Sequence, residues 1–116
     1  MENVVENKSF EFAVKVVKLT KELRKSHDYE LASQLLRSAT SVGANIAEAQ
    51  YAQSTRDFVS KMAIARKEAN EALYWLKLML ATDIISTAQS KSLINDIIEI
   101  IRILTSIIKS TYKTKD

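Results

Sequence analysis

The chain has 116 residues, enough for one domain that buries roughly two thirds of its unfolded surface. It contains no proline, no cysteine and one glycine, which argues against a β-protein and excludes disulfides and thiolate metal sites. The net charge is +3, the N-terminus lacks the order of a signal peptide, and charged residues interrupt the longest apolar segment. We therefore expect a cytoplasmic, all-helical protein with no membrane partner.

The first two predicted helices carry apolar residues at helical spacing. One is expected over residues 9–25, with Ser9 as its N-cap, and the next over residues 29–51. The first helix has two apolar rows, and the second has one. These rows are Phe10, Ala13, Val14 and Val17; Phe12, Val16, Leu19 and Leu23; and Leu35, Ala39, Val42, Ile46 and Ala49. Gly43 interrupts the second helix, and we expect a local bend or a close approach of another helix there.

The third predicted helix, residues 55–82, has the clearest pattern. Ser54 and Asp57 form a capping-box signature at its start. Its apolar residues then alternate steps of four and three for three heptads, at Phe58, Met62, Ala65, Ala69, Ala72, Leu76 and Met79. Such a seam predicts an antiparallel partner helix that packs at a shallow angle.

The fourth predicted helix, residues 87–112, opens with a second capping box, Ser86 and Gln89. Ten leucines and isoleucines between residues 93 and 108 leave only a narrow polar stripe. This apolar arc is wider than a bundle corner requires, so we expect its extra face to pack on another subunit of a homo-oligomer. An unusually apolar helix in a monomer is the alternative. Together the four helices predict one all-α domain over residues 1–116, an antiparallel up-down four-helix bundle.

Positive charge is concentrated in the first helix. Between Lys8 and Lys25 there are six basic and two acidic residues, so this segment carries +4 and the rest of the chain is close to neutral. This pattern indicates an anionic partner such as RNA or DNA, with a solvated helix face as the alternative. The candidate nucleic-acid-binding residues are Lys15, Lys18, Lys21, Arg24 and Lys25.

A polar ridge runs beside the apolar row of the second helix. Its residues step by four, four and three, so they share one face, and two residues of the third helix are candidates to meet them. We expect a structural polar network that selects one helix packing, with a ligand-binding cleft as the alternative. The network residues are Arg37, Ser41, Asn45 and Glu48, with Arg66 and Glu71 opposite.

Signatures of catalysis are missing from the sequence. His27 is the only histidine, in a turn where we expect it to be solvated, and there are no Glu-x-x-His repeats, zinc-ligand clusters or glycine-rich phosphate loops. We therefore predict no enzyme activity, no cofactor and no metal site. Tyr74 and Trp75 could stack a nucleic-acid base, although core or interface packing is the usual role of such aromatics.

The order of these residues resembles a known bacterial family. The segments are F-E-x-A-x-K-x-x-K-L-T-K from Phe10, S-Q-L-x-R-S-A-x-S-V-x-x-N-I-A-E from Ser33, and F-V-x-x-x-x-x-A from Phe58. They are similar to the four-helix-bundle proteins encoded in intervening sequences of 23S ribosomal RNA genes. Two departures occur: Gly43 stands where proline is common, and Ala49 stands where the family usually has glycine.

The resemblance implies an up-down bundle that assembles as a homopentamer. It also implies kinship to the accessory variability protein of diversity-generating retroelements, a basic pentamer that associates with a reverse transcriptase and binds nucleic acid. The leading hypothesis is thus a non-enzymatic oligomeric scaffold that binds RNA through its first helix. The alternatives are a protein-interaction module, such as a reverse transcriptase accessory, and a mobile-element remnant with no nucleic-acid role.

Overall fold

The computed structural model describes the backbone of residues 3–114 and the side chains of residues 3–112. Four helices and no strands are present in this range, and short turns join them. The helices are α1 (Val4–Lys25), α2 (Tyr29–Ala49), α3 (Thr55–Ala81) and α4 (Thr87–Thr114).

The four helices form the predicted all-α bundle. Each helix packs on the next one along the chain, and α4 closes the bundle by packing on α1, whereas helices on the diagonal make no backbone contact over their described residues. The turns are only a few residues long, so consecutive helices run antiparallel. The prediction of an antiparallel up-down four-helix bundle is confirmed.

The start of α1 differs from the prediction. Asn3 is its N-cap, and the Asn3 Oδ1 accepts a hydrogen bond from the Glu6 backbone N–H at 3.0 Å. Ser9, the predicted cap, lies inside the helix and is 1% exposed, and its hydroxyl donates to the Glu6 carbonyl at 3.0 Å. The helix extends to the earlier cap because Val5 can then bury its side chain at the end of the core. The other helix ends lie within two residues of their predicted positions.

Both predicted capping boxes are present, in different forms. At α4, the Gln89 N–H donates to the Ser86 Oγ at 3.0 Å, and the Ser86 N–H donates to the Gln89 Oε1 at 2.8 Å. At α3, the Asp57 N–H donates to the Ser54 Oγ at 3.0 Å, but the Asp57 carboxylate accepts from the Gln53 N–H at 3.2 Å. That hydrogen bond, with a second one from Lys61, holds the pKa of Asp57 below its usual range.

The predicted apolar rows form the core. The row of α2 is fully buried, and so is the seam of α3 except for Phe58, which is partly buried against the same cluster. In α1 the row through Phe12 and Val16 faces the core, whereas Phe10 and Val14 in the second row are exposed. Only one of the two apolar rows of α1 is therefore used within the bundle.

The wide apolar arc of α4 is buried at its centre and partly buried at its edges. Its central residues are buried, and none of its leucines or isoleucines is among the exposed apolar side chains. The flanking Ile94, Ile101, Ile103 and Ile107 are partly buried against the core. Since α4 contacts both α3 and α1, each edge of the arc has a neighbouring helix. The neighbouring helices thus cover much of the arc, and the contact of α4 with another subunit stays a prediction.

Gly43 lies in an uninterrupted part of α2, and its φ is not positive. A Cβ placed on Gly43 would lie 3.7 Å from the Ser9 carbonyl oxygen and 3.9 Å from the Ser9 Oγ. The predicted close approach of another helix is therefore real, since α1 passes here, but the separation still admits a methyl group.

We expect Gly43→Ala to raise the free energy of unfolding by about 0.5–1 kcal/mol, because glycine costs that much relative to alanine inside a helix. Urea denaturation followed by circular dichroism measures the change. Gly43→Leu is the control, and it should destabilise the bundle because the longer side chain meets the α1 backbone. A less stable Gly43→Ala variant would show that α1 tolerates no added atom.

Candidate functional site

The predicted basic residues of α1 fall into two groups. Lys15 faces α4, where its Nζ lies 2.7 Å from the Asp96 carboxylate and donates to the Ser92 Oγ at 3.0 Å. Lys8, two turns earlier on α1, also pairs with α4. Its Nζ lies 2.8 Å from the Glu99 carboxylate, and this hydrogen bond raises the pKa of Lys8. Lys15 is therefore neutralised by α4 and lies apart from the other four predicted binding residues.

The other four cations occupy the last two turns of α1. Lys18 and Lys21 are exposed, and neither has an ion-pair partner among the described side chains. The Arg24 Nη2 lies 3.4 Å from the Ser33 Oγ of α2. Lys25 pairs at 3.2 Å with Glu22, and both of these side chains are exposed. Most of the available positive charge of α1 thus lies at its C-terminal end.

The outward face of α1 changes character along its length. Phe10, Val14, Val17 and Lys21 follow one another at steps of four, three and four, so they form one row on the helix surface. Phe10 is 70% exposed and Val14 is 38% exposed. The row is therefore apolar from Phe10 to Val17 and ends at Lys21, where the cationic part of α1 begins.

A polar cluster bridges α2 and α3. The Arg37 guanidinium contacts the Glu68 carboxylate at 3.2 Å and also pairs with Glu71. Glu71 in turn accepts a hydrogen bond from the Trp75 Nε1 at 3.2 Å. The Arg37 side chain is half exposed, so this cluster lies at the edge of the α2–α3 interface and not inside the core.

The remaining predicted network residues do not join this cluster. The Asn45 amide donates to the Ser41 carbonyl at 2.9 Å and to the Ser41 Oγ at 3.2 Å, both within α2. Glu48 is exposed, and the side chains of Glu48 and Arg66 form no hydrogen bond or ion pair with any described residue. Arg66 precedes Glu71 by five residues, which is about 140° around the helix, so it faces away from α2. That part of the predicted network is wrong.

Glu68 is the cluster residue that the sequence-based set omitted. It lies three residues before Glu71, so both carboxylates share the face of α3 that meets Arg37. This spacing was readable in the sequence, but only the tertiary structure shows that the face lies opposite α2.

Two open grooves meet at the end of the bundle where α1 turns into α2. The larger, about 540 Å³, lies between α2 and α3, and the smaller, about 420 Å³, lies beside the turn. The larger is lined by Tyr29, Glu30, Leu31, Ser33, Gln34 and Trp75. The smaller shares the first three of these and adds His27, Asp28 and Ile84.

The aromatic residues at this end are held by short contacts. His27 is exposed with a φ of 66°, and its Nδ1 lies 3.0 Å from the Tyr29 Oη. Tyr74 meets the ring of Trp75 edge-on, with centroids 5.3 Å apart. Trp75 is partly buried against the core, as expected for such an aromatic, and it also lines the larger groove.

The arrangement offers charged and aromatic contacts for a bound partner. Within residues 3–112, no three histidine or acidic side chains are grouped so that they could hold a metal ion. None of the helices, over their described residues, combines the length and apolar character needed to cross a bilayer.

The Arg37–Glu71 pair should show energetic coupling, whereas the sequence-predicted Arg66–Glu71 pair should not. In a double-mutant cycle of alanine variants, we expect about 0.5 kcal/mol of coupling for the first pair, since partly exposed ion pairs contribute that much. The coupling should shrink in high salt. Urea unfolding of the single and double variants measures both cycles, and equal coupling in the two would contradict the observed cluster.

Comparisons with known proteins agree with this fold. The family model described as 23S rRNA-intervening sequence protein matches residues 1–106. A crystal structure from Bacteroides thetaiotaomicron VPI-5482, described as a protein with unknown function from the S23 ribosomal protein family, is 50% identical with a TM-score of 0.88. The match covers 90% of this chain and 98% of that chain. A comparison with curated proteins gives no significant match. The resemblance seen in the residues is thus confirmed, and the chain belongs to the 23S rRNA-intervening sequence protein family.

Proposed function

We propose that the protein is a non-enzymatic oligomeric scaffold that binds RNA through the C-terminal half of α1. The observation that carries this proposal is the group of four cations, Lys18, Lys21, Arg24 and Lys25, on the exposed last two turns of that helix. Two of them have no counter-ion among the described residues, and Lys25 has only an exposed one. Such side chains contact phosphates well, because little must be broken before they bind.

Contacts of this kind give affinity without reading the base sequence. Phosphates are alike along a strand, whereas sequence is read by side chains that reach base edges. The four cations lie on the outside of a helix, so they suit the backbone of a structured RNA. Binding should therefore depend steeply on salt and weakly on sequence.

The exposed Phe10 and Val14 support the oligomeric part of the proposal. Phe10 is 70% exposed, and burial of its side chain in a subunit interface would add hydrophobic stabilisation. Burial of this row in a subunit interface would leave the cationic end of the same helix free. In the pentamer implied by the family resemblance, five copies of four cations would give about twenty positive charges for phosphate contacts.

The same apolar row supports a second candidate function. A different protein, such as a reverse transcriptase, could occupy Phe10 and Val14, and the chain would then act as a protein-interaction module. This alternative requires neither Lys18 nor Lys21, so the two functions separate by mutation.

Reversing two of the free charges should abolish RNA binding. We expect Lys18→Glu/Lys21→Glu to lose binding to a labelled structured RNA in fluorescence anisotropy at low salt. In partly weakened single variants, the slope of log affinity against log salt should become shallower by about one unit for each phosphate that the protein no longer neutralises.

The matched control is Lys67→Glu/Lys109→Glu, which makes the same change in net charge on exposed lysines of α3 and α4. Equal loss in both double variants would mean that net charge alone is responsible. Unaltered binding in the α1 variant would overturn the proposed interface.

Removing the apolar row should break the assembly without unfolding the chain. We expect Phe10→Ser/Val14→Ser to shift the protein toward monomer in light scattering coupled to size exclusion, with unchanged helical circular dichroism, because both side chains lie outside the core. Tyr51→Ser, a substitution of an 88% exposed tyrosine just beyond the far end of α2, is the control. A wild-type protein that is already monomeric would refute the oligomeric scaffold.

A further inference from the structure

We propose that the larger groove, between the start of α2 and the C-terminal half of α3, binds an unpaired base of single-stranded RNA. This inference rests on the proposed function, because the cations of α1 would hold the phosphates of the same strand. It adds a preference for unpaired over paired RNA, which the cations by themselves do not supply.

The lining of the groove suits a flat, partly polar ligand. Tyr29 and Trp75 line it from opposite helices, and Tyr29 is 53% exposed, so its ring is accessible without rearrangement. Every base has a π-face, and aromatic side chains stack on it with little regard to sequence. Leu31 completes the apolar part of the lining.

The cationic end of α1 touches the wall of this groove. The Arg24 Nη2 lies 3.4 Å from the Ser33 Oγ, and Ser33 is one of the lining residues. A nucleotide whose base occupies the groove would therefore have its phosphate beside Arg24, with Lys21 one turn back along α1. The negative phosphates of an RNA strand would thus lie against the cations of α1 and not in the groove.

The polar groups of the groove favour a base over a phosphate. Ser33 and Gln34 can donate and accept hydrogen bonds, and the Glu30 carboxylate accepts from base N–H groups such as the uracil N3–H or the amino group of cytosine or adenine. The same carboxylate repels a phosphate. This separation of charge predicts an orientation with the base inward and the backbone against α1.

Tyr29 also borders the smaller groove, so the first turn of α2 forms a ridge between the two grooves. The His27 Nδ1 lies 3.0 Å from the Tyr29 Oη, and the two rings meet edge-on, so the tyrosine ring is held in place from the turn side. An oriented ring loses less freedom on stacking than a freely rotating one.

A paired duplex would not use this groove, because its bases already stack on one another and would have to be extruded at an energetic cost. It could still contact the four cations of α1. The predicted difference between single-stranded and duplex RNA therefore isolates the groove from the cationic surface.

Trp75 is the only tryptophan of the chain, so its fluorescence reports directly on this groove. We would titrate the full-length protein with hexauridylate and, separately, with a blunt RNA duplex. Saturable quenching by hexauridylate is expected, with little change from the duplex. Tyr29→Ala should weaken hexauridylate binding roughly tenfold, the loss expected for one stacked base. Duplex binding should stay unchanged.

Two further variants make the test specific. Tyr29→Phe retains the ring but loses the hydroxyl contact with His27, so it should retain most of the hexauridylate binding. Tyr51→Ala removes an exposed tyrosine at the opposite end of the bundle and should have no effect. If hexauridylate and duplex bind alike and Tyr29→Ala changes neither, the groove inference is overturned while the cationic interface stands. If the wild-type protein binds neither RNA, both proposals fail.

Discussion

The close packing of α2 against α3 is the contact on which the rest of the fold depends. Alanines recur through both core rows, so the two helices lie near each other along most of their length. Small residues permit this approach, and Leu35, Ile46 and Leu76 fill the space between them. Arg37 and its two carboxylate partners then lie at the edge of the pair, where they specify the register more than they add stability. The larger groove lies between the same two helices, at the start of α2 and the C-terminal half of α3.

The first helix, α1, has three faces with different contacts. One face supplies Phe12 and Val16 to the core, and a second supplies Lys8 and Lys15 to the carboxylates of α4. Exposed ion pairs of this kind add little stability, but they occupy cations that would otherwise contribute to phosphate binding. What remains on the third, outward face is an apolar N-terminal half and a cationic C-terminal half. The proposed assembly and the proposed RNA contacts thus need not compete for the same residues.

The turns at the cationic end contain no glycine. His27 and Asp83 take positive φ values there, of 66° and 60°, and histidine and aspartate are among the residues that tolerate this conformation. The turn at His27 brings Tyr29 beside the basic end of α1, and the Tyr29 hydroxyl contacts the histidine ring. A single tight turn therefore places an exposed aromatic side chain next to the free cations. This proximity is the reason that we propose single-stranded RNA as the ligand for that end of the bundle.

The sequence by itself determined the four helices, the capping boxes and the core rows, because spacing along one helix fixes which side chains share a face. By the same spacing, Glu68 and Glu71 share one face of α3. It did not determine which neighbour each remaining face meets. Only the tertiary structure showed that Lys15 pairs with α4, that Glu68 contacts Arg37 and that α4 shares its wide arc between two helices. The spacing of residues specifies the direction in which each side chain leaves its own helix axis. The residue that this side chain contacts depends on how the other helices are arranged around that axis.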